Sequence, residues 1–334
     1  MVRRLQRPLP PLPGREPPIA ASPSSQSARV RRLTEGGLLA AVTVVLGWLS
    51  LYVPYLVLVL PAPMALLVYR HGVPSAISAW VVAAILSGVL LGGIGAVLLL
   101  IPSGLTGLTL GMALHAGWAP GRVLGAAVVG ALMAILLTLV LSFVLTGVSP
   151  SQQIQQLFQL YEEGMQGGLA VSRWLGMPEE QLQAAQAQLQ ATLQLMRLLL
   201  PAVLVGSAVV SALVNHWVAR LVLVRLGERI PWFEPFARWR STPLAAALVA
   251  AGLLVGFFGG AHPWAGTVSA NLSFAGGAVA LVQGLALLWY WFDRAGLSRG
   301  LRILLVIVLL WFPVANIALV IAGLVDPWFN FRRL

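Results

Sequence analysis

Nine stretches of the chain are apolar, most of them are long enough to cross a bilayer, and the arginines fall almost entirely in the gaps between them. The hydrocarbon core of a bilayer is about 30 Å thick, so a crossing helix needs about 20 consecutive apolar residues. The expected fold class is therefore all-α: a polytopic transmembrane helical bundle of eight or nine apolar segments, with an outer pair of amphipathic helices.

Composition agrees. The chain is 59% hydrophobic and 9% charged, whereas a soluble globular domain carries about 25% charged residues. Its formal net charge of +11 is scattered through short loops rather than gathered on one folded face, which argues against a nucleic-acid partner and for the positive-inside rule of membrane topology. The basic residues other than His are all Arg, and there is no Cys. Disulfides, thiol nucleophiles and thiolate metal sites are thereby excluded.

Residues 1–35 hold seven prolines and seven arginines. They are too polar to bury a core, so a disordered, basic, cytoplasmic tail is expected. No short apolar core followed by a small-residue cleavage site is present, so the tail does not read as a removable signal peptide. Arg29, Arg31 and Arg32 at the membrane edge should hold it inside.

The first apolar run, Gly36 to about Val68, is too long for one crossing and is interrupted at Tyr52-Val-Pro-Tyr55 and Pro61-Ala-Pro63. It reads as two spans with an outer turn near Pro54. Val73 to Leu91 crosses outward, Gly92-Gly93 turns the chain, and Ile94 to His115 crosses back with a bend expected near Pro102. Val123 to Thr146 and Leu198 to Val222 are the fifth and sixth spans, followed by the most arginine-rich inner loop. Leu244 to Gly260 and Val268 to Trp291 come next, and Leu301 to Val325 is taken as a ninth crossing, with a re-entrant hairpin broken at Pro313 as the alternative. On the full-crossing reading seventeen arginines lie inside and Arg173, Arg197, Arg332 and Arg333 outside. The expected organisation is a tail (1–35), a six-span core (36–225) and a C-terminal membrane region of two or three apolar segments (226–334).

Residues 148–196 form the extracytoplasmic segment. They are rich in Gln and carry Glu162, Glu163, Glu179 and Glu180 against Arg173. Ile154, Leu157, Phe158, Tyr161 and Met165 recur at helical spacing, and Leu182, Leu189, Leu193 and Met196 do so after a Pro178-Glu-Glu start. Two amphipathic helices follow, each with an apolar face to cover.

No Asp, Glu or Arg lies near the middle of a span, where proton relays and charged filters place costly ionisable groups. HExxH, GxSxG and P-loop sequences do not occur. The expectation is a protein that is not an enzyme and uses no cofactor or metal. His71, His115, His216 and His262 sit near span ends, without metal-ligand spacing. Asn215, His216, Gln283 and Asn316 can hydrogen-bond between helices, a role worth about 1 kcal/mol each.

Gly36, Gly37, Ala40, Ala41 and Gly47 give small-xxx-small spacings on the first span, a face that permits close helix contact. Leu33-Thr-Glu-Gly-Gly-Leu-Leu-Ala-Ala41, Leu60-Pro-Ala-Pro-Met-Ala-Leu-Leu-Val-Tyr-Arg-His-Gly72 and Gly323-Leu-Val-Asp-Pro-Trp-Phe-Asn-Phe-Arg332 together resemble the YybS-like family of bacterial membrane proteins, which has no agreed activity. The first six spans are more distantly similar to the substrate-binding S components of energy-coupling-factor transporters. That resemblance implies a multi-pass protein of the bacterial plasma membrane with a cytoplasmic N-terminus. It also implies a small-molecule ligand bound from outside and a transmembrane coupling subunit with ATPases as partner. Carried over, it makes Gly37, Ala40 and Ala41 the docking face, and Tyr161, Glu162, Glu163, Arg173 and Trp174 the ligand contacts of an outer lid. The competing expectation is a non-transporting scaffold or regulator of the cell envelope.

Overall fold

The structure, a computed structural model, describes residues 25–239, 243–260, 262–329 and 331–332. Among them there are helices and turns but no strand. The helices are α1 (Ser25–Ser50), α2 (Ala62–His71), α3 (Val73–Leu91), α4 (Ile94–His115), α5 (Pro120–Thr146), α6 (Pro150–Trp174), α7 (Glu179–Arg225), α8 (Leu244–Phe258), α9 (Pro263–Arg294), α10 (Arg299–Leu310) and α11 (Pro313–Phe329). Seven described helical segments are long and apolar enough to cross a membrane, or eight if α10 and α11 count as one bent span. Most of their large apolar side chains face outward, as lipid-facing surfaces must.

Proline and glycine punctuation explains most of the boundaries. Pro120, Pro150 and Pro263 open α5, α6 and α9, where a missing N–H costs nothing. Gly92 and Gly93 adopt φ of 85° and 86° between α3 and α4, a conformation that side-chain-bearing residues resist. Where a bend was expected at Pro102, α4 runs on as one helix, and the Trp80 indole N–H donates to the Leu100 carbonyl at 3.0 Å.

Close packing depends on small residues. A Cβ at Gly107 would lie 2.7 Å from the Pro61 carbonyl oxygen, and one at Gly111 would lie 2.7 Å from that of Ala65. α4 and α2 therefore approach backbone to backbone. Leu110, Ala113, Leu114, Val123, Ala127, Ala212, Ala219 and Leu223 join α4, α5 and α7 in the largest buried cluster. α7 also packs on α9, which holds α8 and α11.

Three expectations need correction. The sequence predicts an unstructured tail to residue 35, but Ser25 to Glu35 already belong to α1, where Arg31 pairs with Glu35 one turn on at 3.0 Å. The reading of residues 1–24 lies outside the described residues. The second outer helix and the sixth span are one helix, α7, about 70 Å long at 1.5 Å per residue. The change from Gln-rich to Leu-rich sequence marks a change of surroundings, with no break in the backbone.

The last apolar segment is not a straight ninth crossing. α10 and α11 meet at an angle of 107° at the Trp311-Phe312 break before Pro313. A full crossing would carry Arg332 to the end where Gly260 lies. Instead its guanidinium donates to the carbonyl of Ala237, in the connection between α7 and α8, at 3.0 Å. Arg332 thus stays at the end that carries the arginine-rich connections, and Arg333 lies outside the described residues.

Candidate functional site

The end of the molecule opposite the arginine-rich connections carries a helical arm. The Ser149 side chain accepts a hydrogen bond from the Gln152 N–H at 3.3 Å, and the Gln152 side chain accepts from the Ser149 N–H at 2.9 Å. This reciprocal cap starts α6 just beyond α5. Gly176, at φ 85°, turns the chain, and Glu179 and Glu180 occupy the favourable first turn of α7. The first part of α7, up to Leu198, extends about 28 Å from the apolar span.

Phe158 of α6 is buried against Leu189 and Leu193 of α7, and the Arg197 guanidinium lies 5.4 Å from its ring centroid. Toward the tip the helices part and leave a groove of about 550 Å³. α6 supplies Gln166, Leu169, Ala170 and Arg173 to its lining, and α7 supplies Leu182, Gln183, Gln186, Ala187, Leu189 and Gln190. Glu162 accepts from Gln166 at 3.4 Å and from Gln190 across the hairpin at 3.3 Å. Arg173 pairs with Glu179 at 3.0 Å, both well exposed. A pair so exposed contributes at most about 1 kcal/mol, so Arg173 is available to a ligand at little expense.

The expected lid residues are divided by this geometry. Arg173 lines the groove and Glu162 orders two of its glutamines. Tyr161 and Trp174 are exposed and line no part of it; Trp174 is 83% exposed. Glu163 is also exposed and lies outside the lining. The four glutamines were visible in the sequence only as composition. Each carries both a donor and an acceptor, which suits hydroxyl or amide groups of an uncharged polar molecule.

The expected docking face is divided as well. Ala40 is 4% exposed and packs with Val44, Leu60, Ala83, Ala84 and Leu100. Gly36 and Gly47 face the same way, toward Ala79 and Leu100. That small-residue seam is consumed by packing within the chain. Gly37 and Ala41 face outward, and a Cβ at Gly37 would meet nothing within 4 Å.

At the arginine-rich end, one carboxylate joins two helices. Glu35 of α1 accepts from Arg31 at 3.0 Å and from His71 at 2.7 Å, and pairs with Arg70 at 2.9 Å. His115 Nδ1 lies 2.9 Å from the Tyr69 carbonyl oxygen, and the Tyr69 hydroxyl donates to Glu228 at 3.1 Å. Asn215 meets the expectation of an interhelical bond: its Nδ2 donates to the Leu58 carbonyl at 2.7 Å. His216 does not; it is fully buried, and among the described residues neither ring nitrogen has a hydrogen-bond partner. No group of three or more metal-ligating side chains occurs among the described residues.

A bundle of membrane-length apolar helices with an amphipathic arm at one end and its arginines concentrated at the other is a polytopic integral membrane protein in contact with the lipid bilayer. The chain belongs to the family described as "Predicted membrane protein (DUF2232)", whose model matches residues 41–327. No curated protein and no solved structure matches it.

Proposed function

We propose that this protein is a non-enzymatic membrane subunit that binds a small, uncharged polar solute between α6 and α7 and works with a separate energising partner. The observation that carries the reading is the groove of about 550 Å³, with four glutamine amides around an apolar floor of Leu169, Leu182 and Leu189. Amides and apolar side chains together suit a solute with both hydrogen-bonding and carbon-rich faces. The distant resemblance of the first six spans to S components supports the same role. In this reading the arm faces outside, the N-terminus is cytoplasmic, and the membrane is the bacterial plasma membrane. The chain has no P-loop sequence, so ATP hydrolysis falls to partner subunits, which dock on the open α1 face of Gly37 and Ala41.

Native mass spectrometry of the detergent-solubilised protein from its own host tests this. The expected result is a stoichiometric small molecule together with an ATPase-linked membrane subunit. The variant Gln186→Ala/Gln190→Ala should then lose at least tenfold in affinity for that molecule; unchanged affinity would remove the groove from the argument. Gly37→Ile with Ala41→Trp should abolish partner co-purification.

A scaffold role has one specific observation in its favour. Leu157, Leu160, Tyr161, Val171 and Trp174 of α6, with Leu175 just past its end, are all exposed and follow helical periodicity along one stripe. An apolar stripe on an arm standing away from the membrane suits a protein partner. Envelope proteins attached to a ligand-free preparation would favour that role.

A further inference from the structure

We propose that residues 228–239 are a movable lid over His216, latched shut by Arg332. After Gly227 the connection from α7 folds back along the bundle instead of leaving it. Ile230 is buried in the main core cluster, and the rings of Trp232 and Phe233 meet His216 edge-on at centroid distances of 4.9 and 5.7 Å. Residues 228–235 have no regular secondary structure, so no ladder of backbone bonds holds them in place. Side chains from elsewhere do so. Arg220 donates to the Ile230 carbonyl at 3.3 Å and lies 5.2 Å from the Trp232 ring centroid.

At the far end of the lid, the Phe236 ring meets that of Trp289 on α9 edge-on at 6.3 Å, and Arg332 supplies a charged hydrogen bond from the C-terminal segment. Arg332, 3% exposed, donates Nη1 to the Ala237 carbonyl at 3.0 Å and Nη2 to Asp326 Oδ2 at 2.6 Å. Asp326 is 6% exposed, so the pair is shielded from water. Removing the guanidinium would take away the lid contact and leave a buried carboxylate alone.

Closure works against the imidazole. In either neutral tautomer His216 keeps one donor and one acceptor, and under the lid both are unmet among the described residues. Lifting the lid lets water, or a polar group entering from the arginine-rich end, satisfy them. A closed state that strands a polar ring and depends on a remote ion pair is a two-position element whose balance either contact can shift.

The absence of cysteine from the chain makes an introduced thiol unambiguous. In His216→Cys, a water-soluble maleimide should react slowly in an otherwise natural background and at least tenfold faster when Arg332→Gln is added, with Arg332→Lys in between. Independently, with His216 in place, Arg332→Gln should speed hydrogen–deuterium exchange in residues 228–239 and leave α7 and α9 unchanged. Equal labelling with and without Arg332, or exchange that rises throughout α7, α8 and α9, would overturn the latch.

Discussion

The amide of Asn271 spans the backbone of α7 at Pro201. Its Nδ2 donates to the Leu198 carbonyl at 2.8 Å and its Oδ1 accepts from the Ala202 N–H at 2.8 Å. These are the two groups that an uninterrupted helix would pair with each other. Pro201 lies between them and has no N–H of its own to give. A side chain from α9 therefore substitutes for the ladder where the arm joins the span. Asn271→Ala should destabilise the protein by about 1–3 kcal/mol, because it leaves a part-buried donor and acceptor without their partner. Thermal unfolding in detergent would register the loss, and exchange of the Ala202 amide should accelerate while that of Leu189 does not.

Gly284 and Gly323 make a second contact of this kind. A Cβ on Gly284 would fall on the Leu319 carbonyl, and one on Gly323 would fall on the Ala280 carbonyl and the Gly284 amide. Neither backbone can yield. Gly323→Leu should therefore separate α11 from α9 at a cost of about 1–3 kcal/mol, read as lower thermal stability and faster exchange across Pro313–Phe329. Gly277→Leu is the control: a Cβ there meets nothing within 4 Å, so stability should hardly change.

The Glu35 cluster ties the start of α1 to the end of α2. The Arg70 and Glu35 side chains are 25% and 21% exposed, enough burial to limit screening by salt. A double-mutant cycle on Glu35→Gln and Arg70→Gln should give a coupling of about 1 kcal/mol. A coupling near zero would mean that solvent satisfies both groups equally well.

How much of this was legible in the sequence depends on how far each determinant lies from its effect. The limits of α3 and α4, Val73–Leu91 and Ile94–His115, were readable because local signals set them: Gly72, the Gly92-Gly93 pair and unbroken apolar runs. The continuity of α7 was not readable. Hydropathy changes at Leu198 and Pro201 follows it, while the residue that splints the helix, Asn271, is remote in sequence. The bend between α10 and α11 was legible only as an alternative: Pro313 marks the break, but Leu301 to Val325 is one apolar run by composition and suits a single crossing equally well. What decides between them at the C-terminal end is a group remote in sequence, Ala237, which binds Arg332, while Asp293 at the end of α9 pairs with Arg302 at the start of α10. At the candidate site, charge and aromaticity drew attention to Tyr161, Glu163 and Trp174. The groove is lined instead by Gln183, Gln186 and Gln190, one of several faces of a helix whose glutamines look alike in sequence.

That same bend sets the side on which the chain ends. With Arg332 bonded to Ala237, a short tag added after Leu334 should be reached from the face that exposes the α7–α8 connection, whereas a straight ninth span would put it with the arm. Single-cysteine variants can locate both faces, because no natural thiol competes. Glu228→Cys marks the connection and Trp174→Cys, at an 83% exposed position, marks the arm. In sealed vesicles of one orientation, an impermeant maleimide should label only one of these two positions. A cysteine in the C-terminal tag should follow Glu228→Cys. Labelling together with Trp174→Cys would mean that α10 and α11 straighten into a crossing in the bilayer and that the Arg332–Ala237 contact does not persist there.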